Sequence, residues 1–209
     1  MKKVSFLIAA LVLLSLNLYA QKTTDIFHFG LKAGSNYSNV YDSEGEKFNA
    51  NGKYGLAVGA FASIPLGSIL GFQPEVLYSE KGFKATGSVL GNDYNLTRTT
   101  GYIDVPLLLA IKPAPVVTFL AGPQFSFLVN EKNSFTSSTT SVQQAQTFSN
   151  DNVRKNTLCF TGGIDLNLSN FVVGARAGWD VQNNNGDGTS VTPRYKNVWY
   201  QATIGFKIL

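Results

Sequence analysis

The sequence predicts an all-β protein: an eight-stranded antiparallel up-and-down transmembrane β-barrel of the bacterial outer membrane. Three observations predict it. Eight stretches alternate in side-chain character with the two-residue period of a strand. The connections between them alternate long and short. The chain opens with a segment that reads as a secretory signal.

The connections after the first, third, fifth and seventh strands run Asn36–Lys53, Ala85–Thr99, Asn130–Asn156 and Asn183–Tyr195. Those after the second, fourth and sixth are tight: Pro65–Gly71, Pro113–Pro115 and Ser169–Asn170. Outer-membrane barrels have short periplasmic turns and long extracellular loops. A soluble barrel has no membrane to sort its loops by length.

Taken in order, each strand splits into two faces. The first sets Phe27, Phe29, Leu31 and Ala33 against His28, Gly30, Lys32 and Gly34. In the second, Leu56, Val58, Ala60, Ala62 and Ile64 oppose Gly55, Ala57, Gly59, Phe61 and Ser63. In the third, Phe72, Pro74, Val76 and Tyr78 oppose Gln73, Glu75, Leu77, Ser79 and Lys81. The fourth has Ile103, Val105, Leu107, Leu109 and Ile111 against Tyr102, Asp104, Pro106, Leu108 and Ala110. The fifth has Val117, Phe119, Ala121, Phe125 and Phe127 against Thr118, Leu120, Gly122, Gln124 and Ser126. In the sixth, Leu158, Phe160, Ile164 and Leu166 oppose Thr157, Cys159, Thr161, Gly163, Asp165 and Asn167. The seventh sets Phe171, Val173, Ala175, Ala177, Trp179 and Val181 against Val172, Gly174, Arg176, Gly178, Asp180 and Gln182. The eighth sets Val198, Tyr200, Ala202, Ile204, Phe206 and Ile208 against Trp199, Gln201, Thr203, Gly205 and Lys207. Most segments reach the roughly 9–11 tilted residues that cross a hydrocarbon layer.

Parity does not say which face is inside. The mixed face carries Lys32, Glu75, Lys81, Asp104, Asp165, Arg176, Asp180 and Lys207; on the apolar face the one charge is Glu80, beside an outer loop. An apolar lumen would give a soluble, lipocalin-like carrier, and that alternative stays open. Two features oppose it. The mixed face is rich in small residues, which relieve crowding in a narrow barrel. The apolar face also has Tyr54, Tyr78, Trp179 and Tyr200 toward the long loops, and Phe72, Phe171 and Phe206 toward the short turns. Such a pair of aromatic belts fits two membrane interfaces. Pro74, Pro106 and Pro123 each remove a ladder donor, and a barrel has no edge to hide them. A bulge or local break is therefore expected near Pro106 and Pro123.

At the N-terminus, Lys2 and Lys3 precede the apolar run Val4–Leu16, and Ala20 suits the residue before a cleavage. Residues 1–20 are thus expected to be a cleaved signal peptide, and residues 21–209 the barrel domain. Without Lys2 and Lys3 the 17 basic residues fall to 15 against 13 acidic, so the basic balance points to no nucleic-acid partner. No later stretch has the apolar length of a membrane helix. With one cysteine, Cys159, an internal disulfide is excluded, and its strand context makes it a small buried filler.

Four segments carry a family likeness: Phe29–Gly34, Phe72–Gly82 with its Gln73-Pro74-Glu75 core, Tyr102–Leu108 with Asp104-Val105-Pro106, and Leu120-Ala121-Gly122-Pro123. On these the chain resembles the PorT-like outer-membrane β-barrel family of Gram-negative bacteria, over nearly the whole mature length. The resemblance implies an eight-stranded outer-membrane barrel but no shared activity; the founding member of the family is associated with a protein-secretion system. It supplies no catalytic motif.

Within a barrel of this size side chains fill the lumen. Lys32, Glu75, Lys81, Asp104, Asp165, Arg176, Asp180 and Lys207 are therefore expected to form a balanced interior ionic network, since an unpaired buried charge is costly. A proton or ion pathway is the alternative. His28, the single histidine, is expected at the periplasmic end, remote from where a lipid-modifying enzyme would need a base. Asn183–Thr189 resembles a calcium loop but lacks the closing Glu, with Arg194 in its place. Gly55 and Gly59 have helix-dimer spacing in a strand context. The Ser/Thr/Gln-rich stretch Ser134–Ser149 reads as an extracellular loop and a candidate partner surface. No phosphate-cradling loop or metal cluster is visible, so no cofactor and no catalytic residues are expected. The expected partners are outer-membrane lipid, the barrel-assembly machinery, and a secretion-system or cell-surface protein.

Overall fold

The computed structural model describes residues 26–42, 50–89, 92–137, 141–146, 154–184 and 195–208. The expected signal peptide lies outside them. Among the described residues nine strands follow one another: β1 His28–Asp42, β2 Ala50–Pro65, β3 Leu70–Val89, β4 Asn92–Ala114, β5 Val117–Ser137, β6 Ser141–Gln146, β7 Asn156–Leu168, β8 Phe171–Asp180 and β9 Tyr195–Lys207. Eight of them close an antiparallel barrel, with β9 returning to β1 from Gly30↔Lys207 to Asp42↔Tyr195. Closure leaves no unpaired edge, which is what lipid demands of a spanning sheet.

The ninth strand was not expected. β6 lies in the long connection after β5 and, among the described residues, pairs only with β5, from Glu131↔Gln146 to Thr136↔Ser141. The strands also run further than their apolar alternation. Most of the connection expected from Ala85 to Thr99 is ladder, with β3 and β4 paired out to Val89↔Asn92. Beyond the bilayer neither face must be apolar, so the period-two signal vanishes while the hydrogen bonds continue.

The faces resolve as two surfaces. Leu109, Phe119, Ile204 and Phe206 face outward and are exposed, whereas Asp165 is 3% and Arg176 6% exposed. The apolar-lumen, lipocalin-like alternative is thereby excluded. Outward aromatics meet across strands at both ends, Tyr37 tilted against Tyr54 at 5.0 Å and Phe171 edge-on to Phe206 at 5.3 Å between ring centroids.

Each proline sits beside a gap in the ladder. Pairing of β3 with β4 skips from Pro74↔Leu107 to Leu77↔Asp104, which leaves Pro106 in the gap. Pairing of β4 with β5 skips from Pro106↔Gln124 to Leu109↔Ala121, which leaves Pro123 in the gap. The register is the same on both sides, so these are local breaks and not bulges. On its β7 side Pro123 pairs without interruption. A true bulge lies higher: Gly101 pairs with Asn130 but Tyr102 with Leu128, which makes Val129 an extra residue. It reverses the alternation of β5 and turns Glu131 into the lumen.

Candidate functional site

The lumen holds two ionic centres. In the one nearer the short turns, Lys32 on β1 reaches Glu75 on β3 at 2.7 Å. Arg176 on β8 grips Asp165 on β7 with both terminal nitrogens, Nη1–Oδ1 2.7 Å and Nη2–Oδ2 3.0 Å, and lies 3.5 Å from Glu75. Gln73 crosses the barrel from β3, donating to Glu75 Oε1 at 2.9 Å and to Asp165 Oδ2 at 3.1 Å. Each of these residues comes from the mixed face of its strand, so strand alternation alone aims them inward. Burial of such charges is tolerable because the pairs are short and share a hydrogen-bonded bridge.

The second centre lies toward the long loops. Lys81 Nζ is 3.0 Å from Asp104 Oδ2, and lies 3.8 Å from the Trp199 ring centroid and 4.8 Å from that of Tyr102. A desolvated ammonium over two aromatic faces gains from both ring quadrupoles. Gly178 makes room for Trp199: a Cβ there would stand 2.6 Å from indole Cε2. Beyond Ser126, Cys159 is buried and its Sγ donates to Asp180 Oδ1 at 3.1 Å. Asp180 Oδ2 accepts from the Asn197 backbone N–H at 2.9 Å, Asn197 Nδ2 at 2.7 Å and Asn184 Nδ2 at 3.1 Å. Between the centres, Gln201 donates to Asn36 at 2.9 Å, and Asn36 to Ser79 at 2.7 Å. Nearer the mouth, Arg98 pairs with Glu131 and lies 5.9 Å from the Tyr195 ring.

Seven of the eight residues expected in the network are thus buried in the lumen. They stand as two clusters with neutral amides between them, not as one. Lys207 differs: it is half-exposed where β9 ends at the short-turn rim, its backbone N–H donating to Asn170 O at 2.7 Å. The expected balance of four acids and four bases therefore becomes four against three among those residues, and neutral donors hold the extra carboxylate, Asp180. Gln73, Gln201 and Trp199 carry no charge to mark them, although their parity aims them inward, and Asn36 falls at the start of a stretch expected to be loop. Arg98 and Glu131 fell in stretches expected to be loop or loop edge.

The remaining candidates are dispersed. His28 opens β1 at the short-turn end, opposite Ser63. Glu80 faces outward and accepts from the Leu56 N–H at 3.3 Å and the Tyr78 hydroxyl at 3.4 Å. Gly55 and Gly59 lie in β2, so their spacing is not that of a helix. Most of the calcium-like stretch lies outside the described residues; of its start, Asn184 is bound to Asp180. Among the described residues no cluster of three metal-ligating side chains occurs.

This architecture has relatives. Ail, the attachment invasion locus protein of Yersinia pestis, crystallised with the heparin analogue sucrose octasulfate, is 15% identical with a TM-score of 0.50, covering 88% of this chain and 100% of that one. Neisserial surface protein A is 13% identical with a TM-score of 0.44, covering 85% and 96%. At such identities the Ail likeness concerns the fold alone. No curated protein matches the chain. The family described as outer membrane protein beta-barrel domain matches residues 19–186. An exposed apolar wall around an ionic lumen and this match over most of the chain lead to one conclusion: the chain belongs to the outer membrane protein beta-barrel domain family and resides in the bacterial outer membrane.

Proposed function

We propose that this is a non-enzymatic, non-conducting barrel that acts through the strands and loops it raises above the membrane. The observation carrying this reading is the bridge of Gln73 to Asp165 across the lumen, stacked below the Lys81–Asp104–Trp199 cluster. Side chains from opposite walls meet, which supports a lumen closed to water and ions. With the lumen filled, the surface left for a partner is the extension built by β3, β4, β5 and β6, together with the periplasmic rim. The PorT-like resemblance suggests a secretion apparatus as that partner, and a barrel of this class calls for the barrel-assembly machinery during insertion.

Reconstituted in planar bilayers, the mature chain should give no unitary current steps; reproducible steps would refute the closed lumen. Photocrosslinkers placed between Asn130 and Asn156 in intact cells should capture a defined protein. A deletion strain with an altered lipid A profile, restored by the wild type but not by a His28→Ala chain, would replace this reading with a lipid-modifying enzyme.

A further inference from the structure

The two lumen centres differ in charge. Nearer the short turns, Lys32 and Arg176 answer Glu75 and Asp165, two against two. Toward the long loops, Lys81 stands against both Asp104 and Asp180, one against two, while Arg98 and Glu131 cancel each other nearer the mouth. The upper centre is therefore left with one surplus negative charge. Neutral donors stabilise the Asp180 carboxylate without removing that charge, and a buried net charge is costly.

Unmet oxygens surround the same carboxylate. Asp180 Oδ2 has three N–H donors, whereas Oδ1 has the thiol of Cys159, a weak donor. Asn184 is 1% exposed and gives its Nδ2 to Asp180, which fixes the amide with Oδ1 as an acceptor. That Oδ1 is buried and has no hydrogen-bond partner among the described residues. Thr157, 3% exposed, is in the same position at its Oγ1. Cys159 pairs with Asp180, so Thr157, two residues back on the inner face of β7, is the diagonal neighbour of Asp180 across the β7–β8 ladder. Diagonal neighbours stand about 7–8 Å apart, a span that suits one ion shared between two side-chain oxygens. A water molecule would satisfy these acceptors and leave the surplus charge in place. A cation does both. One surplus charge with neutral amide and hydroxyl oxygens matches a hard monovalent ion, since divalent ions gather several carboxylates.

We propose that Asp180, Asn184 and Thr157 hold a single Na+ or K+ ion in the upper lumen. Asn184 also joins the surrounding backbone: its N–H donates to Tyr195 O at 3.0 Å, and its carbonyl accepts from the Arg154 N–H at 3.0 Å. The ion thus ties the charge of the upper centre to the base of the last long connection. It lies on the long-loop side of the Gln73 bridge, so it needs no path across the closed lumen and no partner above the membrane.

Tl+, a monovalent stand-in for both ions, is the probe. The whole mature chain is folded from urea into uncharged detergent with labelled thallium(I) acetate, ionic strength is held constant with tetramethylammonium acetate, and bound ion is counted by equilibrium dialysis. A single Tl+ should bind per barrel, displaced by Na+ or K+ but not by tetramethylammonium. Asp180→Asn should weaken binding about tenfold or more, and Thr157→Val several-fold. Crystals soaked in Tl+ should show an anomalous peak in contact with Asp180 and Asn184. Absence of saturable Tl+ overturns the proposal, as does equal binding by the wild type and both variants. Displacement by Ca2+ at far lower concentration than by Na+ or K+ also overturns it. Heat-modifiable gel mobility reports whether each chain has closed; if D180N lacks it, T157V carries the test. An idle buried hydroxyl would leave T157V more stable than the wild type in every salt. With the ion site, T157V instead loses the extra stability that the wild type gains when Na+ or K+ replaces tetramethylammonium.

Discussion

Asp165 and Arg176 illustrate what an interior position asks of a residue. Their bidentate contact has no water to fall back on, so removing one partner strands the other. Arg176→Met is expected to cost about 3–5 kcal/mol in urea unfolding from bilayers, and the double change with Asp165→Leu distinctly less. If the double variant were as unstable as the single one, the charge left behind would not be the cause. Gly178 is constrained by packing, because the Trp199 ring occupies the space of its side chain. Gly178→Val should destabilise by about 1–3 kcal/mol in the same assay. Gly82 is constrained by backbone: its φ of 148° suits glycine, and Ser38 Oγ both accepts from its N–H at 2.8 Å and donates to its carbonyl at 2.9 Å. Seven charged residues of the lumen were legible in the sequence because charge on one parity stands out against small neighbours, whereas Arg98 and Glu131 lie above the alternating part of their strands. The amides and indole that stand among those seven were not, since Gln73 or Trp199 on a strand face reads the same whether or not it has a partner across a lumen.

Strands divide into the part that lipid disciplines and the part that it does not. Between the belts, alternation fixes faces and approximate ends, and all eight barrel strands were visible that way. Above the belt, β5 is the one strand among the described residues that pairs with β6. Replacing residues 138–153 with a short Gly/Ser linker should therefore leave heat-modifiable mobility intact, whereas its loss would place β6 among the elements needed for closure. The tight turn after β7 has the one described non-glycine residue at positive φ, Ser169 at 57°. A first turn position of this sign suits a two-residue hairpin but strains a serine side chain. Ser169→Asn should stabilise the barrel by about 0.5–1 kcal/mol in urea unfolding, because asparagine tolerates this conformation better. Loss of stability would show that the hydroxyl, not the backbone, sets the turn.

The whole molecule is inside-out relative to a soluble barrel, and its two tryptophans report this directly. Trp179 is 42% exposed on the outer wall and Trp199 is 1% exposed against Lys81. In bilayers of brominated acyl chains, the Trp199→Phe chain should lose most of its fluorescence, while the Trp179→Phe chain should be quenched far less. Equal quenching would contradict the assignment of faces. Leu107 offers an energetic counterpart, since it lies on β4 between Ile103, paired with Tyr78 of one belt, and Leu109, paired with Phe72 of the other. Leu107→Arg should cost about 2–4 kcal/mol in urea unfolding, the midplane value, and Leu109→Arg only about 0–1 kcal/mol.

Taken alone, the sequence determined the strand count of the barrel, the composition of each face and the sorting of long and short connections, because a membrane imposes periodic and local rules on every crossing. Which face looks inward, how the lumen charges divide into two centres and how the Val129 bulge turns Glu131 toward Arg98 were decided only by closure. Those features depend on which residues register brings together from strands far apart in the chain, and no local pattern carries that information.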